Sequence, residues 1–257
     1  MNTRKRLLPL VLGLTLVAGC YPLEEHTARI GGKWPAAGLK QLEVREVNGM
    51  ISVMGDSPNE ITMVANVRAR GVQPNHREPN EGYFSTDIDG DTLVIATRDE
   101  HHGFVFGPEI RVDYDLHVPP SIALRLRTVN GRVATRNIAG EISAVTVNGV
   151  VDIEATGSNE VAARTVNGRV QAKFLDDFHG AQLGTVNGRI TAVLPPTASF
   201  VGDFSQLNGD FEAAFPLNIR SHPGSRHVSG EVNGGRYTLK VSTVNGDIKV
   251  DHGMAGQ

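Results

Sequence analysis

The sequence predicts an all-β domain, most simply a β-solenoid of about 20 residues per rung, on three observations. A tripeptide recurs along the chain. The residues around each copy alternate apolar and polar with period two, the mark of a half-buried strand. The composition is poor in aromatics, at 5%, and rich in glycine, at 29 residues, which suits many short strands separated by turns.

The tripeptide is Val-Asn-Gly, at 47–49, 129–131, 147–149, 166–168, 186–188, 232–234 and 244–246, with Leu207-Asn208-Gly209 a near copy. Between Asn130 and Asn208 the spacings run 18, 19, 20 and 21. Thr128, Thr146, Thr165, Thr185 and Thr243 precede five of the copies. Three residues after Asn come Ile51, Val133, Val151, Val170, Ile190, Phe211 and Ile248, and four before it come Val44, Leu126, Ala144, Ala163, Leu183, Phe204 and Val241. Asn-Gly is also a strong signal for a two-residue hairpin. A hairpin would set Val129 opposite Arg132 and Thr128 opposite Val133, leaving each sheet face half apolar and half polar. A solenoid avoids that conflict. Asn-Gly becomes a corner, like residues stack on like, and Asn side chains can bond along a ladder through Asn130, Asn148, Asn167 and Asn187, each followed by its glycine (Gly131, Gly149, Gly168, Gly188). Gly140, Gly157 and Gly180 can mark the opposite turn. An antiparallel barrel or sandwich is the alternative.

Taken in order, the chain opens with Arg4-Lys5-Arg6, an apolar run from Leu7 to Val17, and then Ala18-Gly19-Cys20. That is the layout of a secretory signal over residues 1–19. The run is too short to span a hydrocarbon core, which needs roughly 20 residues. Val17-Ala18-Gly19-Cys20 resembles the lipobox of bacterial lipoproteins, which implies cleavage before Cys20 and acylation of that cysteine, the only one in the chain. Tyr21 rather than Asp follows it, which by that group's sorting rule favours the outer membrane in a host with two membranes. Residues 20–38 then read as the lipidated cysteine and a linker, with Pro22, Gly31, Gly32, Pro35 and the single Trp34. The domain covers 39–251. Between Met50 and Pro119 the repeat lapses, and strands are expected at Glu60–Arg70, Tyr83–Asp87, Thr92–Thr97 and Arg111–Val118, with a turn at Asp87-Ile88-Asp89-Gly90-Asp91. Residues 71–82 and 99–109 read as loops and 252–257 as a tail.

Leu42-Glu-Val-Arg-Glu-Val-Asn-Gly-Met-Ile-Ser-Val53, a strand ending at Val118-Pro119, and stacked Thr-Val-Asn-Gly rungs together resemble the bacterial "putative adhesin" domain, also called the toast-rack domain, over residues 39–251. The resemblance implies a single-stranded, right-handed β-helix on the cell envelope and brings no catalytic residues. The spacings of 25 and then 12 at the carboxyl end depart from regular rungs over residues 209–245.

Loss of residues 1–19 removes Arg4, Lys5 and Arg6, leaving 22 basic against 28 acidic residues, a net charge of −6. That balance argues against nucleic acid, which selects a basic surface. His101-His102, with Asp99 and Glu100, could suggest a metal, but neighbours in an extended chain point apart and a solvated loop is the better reading. Asp87, Asp89 and Asp91 alternate as calcium ligands can, yet lack the later bidentate Glu of an EF-hand. Arg132, Arg169 and Arg189 share one column and could form a stripe for carboxylates or phosphates, with Arg127 and Arg164 just before the same corners and Val150 interrupting. Solubilising residues paired with acids are the plainer reading. No nucleophile elbow, phosphate loop or zinc spacing occurs, and no cofactor is expected. The expected function is a non-catalytic binding or scaffold module, anchored to the membrane through Cys20 and engaging an anionic envelope polysaccharide or another envelope protein. An envelope-stress sensing arm is the alternative, and a polysaccharide-acting enzyme ranks behind both.

Overall fold

The computed structural model describes residues 25–70, 83–98, 109–157, 160–217 and 227–253. The leader, Cys20, the His101-His102 pair with Asp99 and Glu100, and the tail from 254 lie outside these.

The strands are, in chain order, β1 (Glu25–Pro35), β2 (Gln41–Arg45), β3 (Ile51–Gly55), β4 (Glu60–Arg70), β5 (Phe84–Asp89), β6 (Thr92–Thr97) and β7 (Glu109–Val118). The regular repeat supplies β8 (Ala123–Arg127), β9 (Val133–Ile138), β10 (Ile142–Val145), β11 (Val151–Ala155), β12 (Val161–Arg164), β13 (Val170–Phe174), β14 (Ala181–Asn187) and β15 (Ile190–Leu194). The carboxyl end adds β16 (Phe200–Asn208), β17 (Phe211–Ala213), β18 (His227–Val232), β19 (Tyr237–Asn245) and β20 (Ile248–His252). They form two ten-stranded sheets. The first runs β1-β4-β7-β3-β9-β11-β13-β15-β20-β17, and the second β18-β16-β19-β14-β12-β10-β8-β2-β6-β5.

This arrangement corrects the expected fold class. A single-stranded right-handed β-helix would stack its rungs in sequence order, with parallel strands throughout. Here both sheets are mixed: β1–β4, β4–β7, β5–β6 and β16–β18 pair antiparallel. Spatial and sequence order agree only from β8 to β15. At the amino end, β2 and β3 lie inside β6 and β7. At the carboxyl end, β19 and β20 are inserted between the β14–β15 rung and the β16–β17 rung. The antiparallel barrel or sandwich fails as well: the sheets are not closed on themselves, and the middle strands pair in parallel.

The physical reason for the insertion is like-on-like stacking. The copy at 243–246 carries Thr243 and pairs with the Thr185 copy, whereas Gln206 replaces Thr in the copy that is pushed outside. The irregular spacings of 25 and 12 are the trace of this reversal.

The core lies between the sheets. Val133, Val151, Val170, Ile190 and Ile248 stack in one column of the first sheet, and Leu126, Ala144, Ala163, Leu183 and Val241 in one of the second. All are essentially inaccessible to solvent. Each fully buried Val, Leu or Ile is worth roughly 1.5–3 kcal/mol in apolar transfer. Gly140, Gly157 and Gly180 fall in the connections β9–β10, β11–β12 and β13–β14, opposite the Asn-Gly corners.

The linker reading of 20–38 gives way to a strand over Glu25–Pro35. β1 pairs with the whole length of β4, from Glu25 opposite Arg70 to Pro35 opposite Glu60. Gly31, Gly32 and Pro35 had argued for a linker, but β1 is an edge strand, where proline is tolerated. Half-buried Trp34 packs against the core, and its ring occupies the space a side chain at Gly32 would need.

Candidate functional site

Each Thr-Val-Asn-Gly corner aims three side chains in fixed directions. Period two continues from the strand into the corner, so Thr points inward and Val outward. Thr128, Thr146, Thr165, Thr185 and Thr243 are therefore buried. Their hydroxyls donate to glycine carbonyls of the neighbouring rung: Gly49, Gly131, Gly149, Gly168 and Gly188, at 3.3–3.5 Å. The valines are left on the surface. Val129, Val147, Val166, Val186, Val244 and Leu207 form an apolar ridge, each 38–57% exposed. The sequence marked this column as apolar but not as surface, because it did not say where the strand alternation ended.

The asparagines stand beside the ridge and bond in one line. Asn130 Nδ2 donates to Asn48 Oδ1, Asn148 to Asn130, and Asn167 to Asn148, each at 2.9 Å. Asn187 donates to Asn167 at 2.9 Å, Asn245 to Asn187 at 2.8 Å, and Asn208 to Asn245 at 2.8 Å. The order of the last two follows space, not sequence. Each corner glycine faces the backbone of the rung before it. A Cβ on Gly131, Gly149, Gly168 or Gly188 would collide with the carbonyl oxygen of Gly49, Gly131, Gly149 or Gly168 respectively.

The arginine column lies on the far side of the ladder and is largely neutralised. Arg132 forms an ion pair with Asp152, and Arg189 with Asp247 at 3.0 Å. Asp247 is held below the usual carboxylate range, first by the backbone N–H of Asp210 and then by the Arg189 guanidinium. Arg169 makes no ion pair among the described residues, and Val150 separates it from Arg132. The column continues into Asp247 and Asp210, which ends it as a cationic stripe.

The outer faces of the two sheets differ in charge. On the first, Arg136, Lys173 and Lys249 are interspersed with Asp152, Glu154 and Asp251. On the second, between β2 and β14, Arg45, Arg125, Arg127 and Arg164 are met by Glu43 alone, which binds Arg45 Nε at 2.8 Å. Arg127 and Arg164 stand out in the sequence just before their corners; the strand register adds Arg45 and Arg125 to their face. The signal was there in the columns three and five before Asn.

Buried polar groups mark the amino end. Glu46 occupies the threonine position of its corner and is 4% exposed. Its Oε1 accepts the Asn48 and Val112 backbone N–H groups at 3.0 and 3.4 Å. Thr97 donates to Oε2, and the Tyr114 hydroxyl lies 2.8 Å from Thr97 Oγ1. Burial raises the Glu46 pKa above its ordinary value, partly offset by these hydrogen bonds. A surface hollow of about 570 Å³ contains Asp56, Ser57 and His117. His117 Nδ1 lies 2.8 Å from Asp56, but the Ser57 hydroxyl donates to the Glu60 carbonyl at 2.8 Å, so the trio is not assembled as nucleophile and base. The turn between antiparallel β5 and β6 is Gly90-Asp91 alone, with Gly90 at φ 63°; Asp87, Ile88 and Asp89, expected in the turn, belong to β5 and pair with Val94, Leu93 and Thr92. Among the described residues no group of three or more His, Cys, Asp or Glu is arranged to hold a metal.

These features define an all-β protein of two stacked sheets with a repeated asparagine corner. The Toastrack DUF4097 family model matches residues 34–251, and the chain belongs to that family. No curated protein matches the chain in sequence. Among solved structures, a "putative cell adhesion protein" from Clostridium sporogenes ATCC 15579 is 10% identical, covering 89% of this chain and 100% of its own, with a TM-score of 0.45. A "putative adhesin" from Bacteroides fragilis NCTC 9343 is 10% identical over 88% and 97%, with a TM-score of 0.33. A "putative lipid binding protein" from Parabacteroides distasonis ATCC 8503 is 11% identical over 88% and 96%, with a TM-score of 0.33.

Proposed function

We propose that the protein is a non-catalytic binding module of the cell envelope, tethered through an acylated Cys20 and engaging an envelope polymer or protein by its long faces. The observation that carries the reading is the ridge itself. Seven asparagines and the exposed valine row repeat one surface pattern from rung to rung. A repeated pattern suits an extended partner, whereas catalysis calls for a convergent set of unlike groups. The leader sequence supports the envelope location, and Tyr21 after Cys20 favours the outer membrane where there are two. Several acyl chains would give stable anchoring where one would not.

The anchor is tested by Cys20→Ser. The variant is expected to lose incorporation of a labelled fatty acid and to keep its leader; undiminished labelling would sink the lipoprotein reading. The binding role is tested by sedimenting the released protein with washed envelope fractions. Production of new unsaturated ends from acidic polysaccharides would instead favour an enzyme.

A further inference from the structure

The outer face of the second sheet carries four arginines, Arg45, Arg125, Arg127 and Arg164, against the single carboxylate of Glu43, which stands opposite Arg125 in the register. Arg45, Arg127, Val145, Arg164 and Gly184 form one row across adjacent strands, as the registers fix. Strands lie about 4.8 Å apart, so Arg127 is one strand from Arg45 and about 10 Å from Arg164. Like charges side by side on a sheet are destabilising. The fold does not require them, since Gly184, Ser242 and Ser205 occupy the same row further along. Arg45 is satisfied by Glu43. Arg125, Arg127 and Arg164 make no ion pair among the described residues. Glu141 and Glu160 lie before the first residues of β10 and β12, at the other end of these strands.

A second observation comes from Gly184. It sits inside β14 and points outward, where glycine weakens a strand. Its φ is not in the left-handed region, and a Cβ would meet the Arg164 Cγ and Ser242 Oγ at an ordinary 3.6 Å. Neither backbone nor packing demands glycine here. Glycine inside a strand often marks a bulge, a bend or the close approach of a ligand or another backbone, and β14 keeps its register through Gly184 without a bulge. Beside it the floor is low and polar: Ser143, Ala162 and Gln182 are the outward neighbours in the next row. The face bears no aromatic ring from β8 to β14, the groups that anchor protein interfaces and sit at bilayer surfaces.

We infer that this face binds a carboxylate-bearing polysaccharide, with Arg125, Arg127 and Arg164 as its anion contacts and Gly184 as the clearance beside them. The inference rests on the binding-module reading and names the partner's chemistry. A planar guanidinium matches a carboxylate in a two-bonded fork. Guanidinium groups one or two strands apart meet successive charges of a linear polymer, and the Ser143 hydroxyl and Gln182 amide suit sugar hydroxyls.

The test uses the full chain, purified in detergent, with polygalacturonate as probe and its fully methyl-esterified form as the uncharged control. Wild type is expected to bind the acid form, salt-sensitively, and to ignore the ester. Arg127→Ser with Arg164→Ser should weaken binding at least tenfold, and Gly184→Val several-fold, without lowering the thermal midpoint. Arg136→Ser with Lys173→Ser removes the same charge from the first sheet and should leave affinity unchanged. Equal binding of the ester would overturn the inference, as would unchanged affinity in the Arg127/Arg164 variant. So would failure to bind polygalacturonate, including the case where the chain binds phosphatidylglycerol vesicles instead. If that variant still sediments with envelope fractions as wild type does, the binding-module reading stands and this one fails. If wild type itself fails to sediment, the broader reading fails.

Discussion

The middle corners and the two end corners solve the same problem with different residues. In the middle, Thr146 hides its hydroxyl against the carbonyl of Gly131, and Asn148 is bonded on both sides. At the amino end, Glu46 takes the threonine position and draws its partners from Thr97, Asn48 and Val112. At the carboxyl end, Gln206 takes it and turns back to the carbonyl of its own Gly209 at 2.7 Å. A middle corner is satisfied by a copy of itself, and an end corner meets something that is not a copy. Threonine works only where the next rung presents a glycine carbonyl at the right height.

The sharpest way to break this comparison is to remove the close approach that makes a middle corner possible. Gly149→Ala would drive a methyl group into the Gly131 carbonyl oxygen. Backbone cannot yield there without separating two rungs, so a loss of roughly 3 kcal/mol or more is expected. A denaturant midpoint shifted by less than a third of that would show that the rungs can spread, and the stacking account would fail.

The asparagine ladder should rank next. Asn148→Ala removes two side-chain hydrogen bonds of the ladder, whereas Asn48→Ala, at its amino end, removes one. Each such bond is worth roughly 0.5–1.5 kcal/mol net, and the exposed partners can turn to water. The middle variant should therefore lose about twice as much as the end one. Equal losses would mean that the ladder is ornamental and that backbone pairing alone sets the register.

Much of the middle was readable from the sequence because one pattern served several rungs, so each column was sampled many times. The Ile51, Val133 and Val151 column, the ladder asparagines and the turn glycines could all be placed before any coordinates. The ends were not readable in the same way. Which strand lies next to β3 is decided by β7 pairing with it from more than fifty residues away, and no local pattern carries that. The insertion of Thr243's rung left a faint trace in the 25 and 12 spacings, but spacing alone cannot say that the chain doubles back. β1 was missed because punctuation residues that break a central strand are harmless on an edge. The basic face was hidden for a different reason: Arg45, Arg127 and Arg164 share the column three before Asn, but only the sheet register sets Arg45 directly beside Arg127 and leaves Val145 alone between Arg127 and Arg164.

The subtlest contrast is in pH dependence, and it isolates the amino end. Burial holds the folded-state pKa of Glu46 above its ordinary value of 4.5. The folded chain then binds this proton more tightly than the unfolded chain. Stability contributed by that proton is fully present below about pH 4.5 and is lost as pH rises through the raised folded value. Glu46→Gln keeps an acceptor for the Asn48 N–H and supplies a donor toward Thr97, but has no proton to lose. The variant should therefore gain on wild type as pH climbs above 4.5 and level off once Glu46 is ionised in both states. Denaturant midpoints at several pH values between 4 and 8 measure the gap. The Thr146 corner has no titrating group, so Asn148→Ala should show a gap to wild type that does not move with pH. A Glu46→Gln gap equally flat in pH would mean that the carboxylate is already ionised at low pH, stabilised by its three donors more than it is destabilised by burial. The amino-end corner would then be as well satisfied as the middle ones.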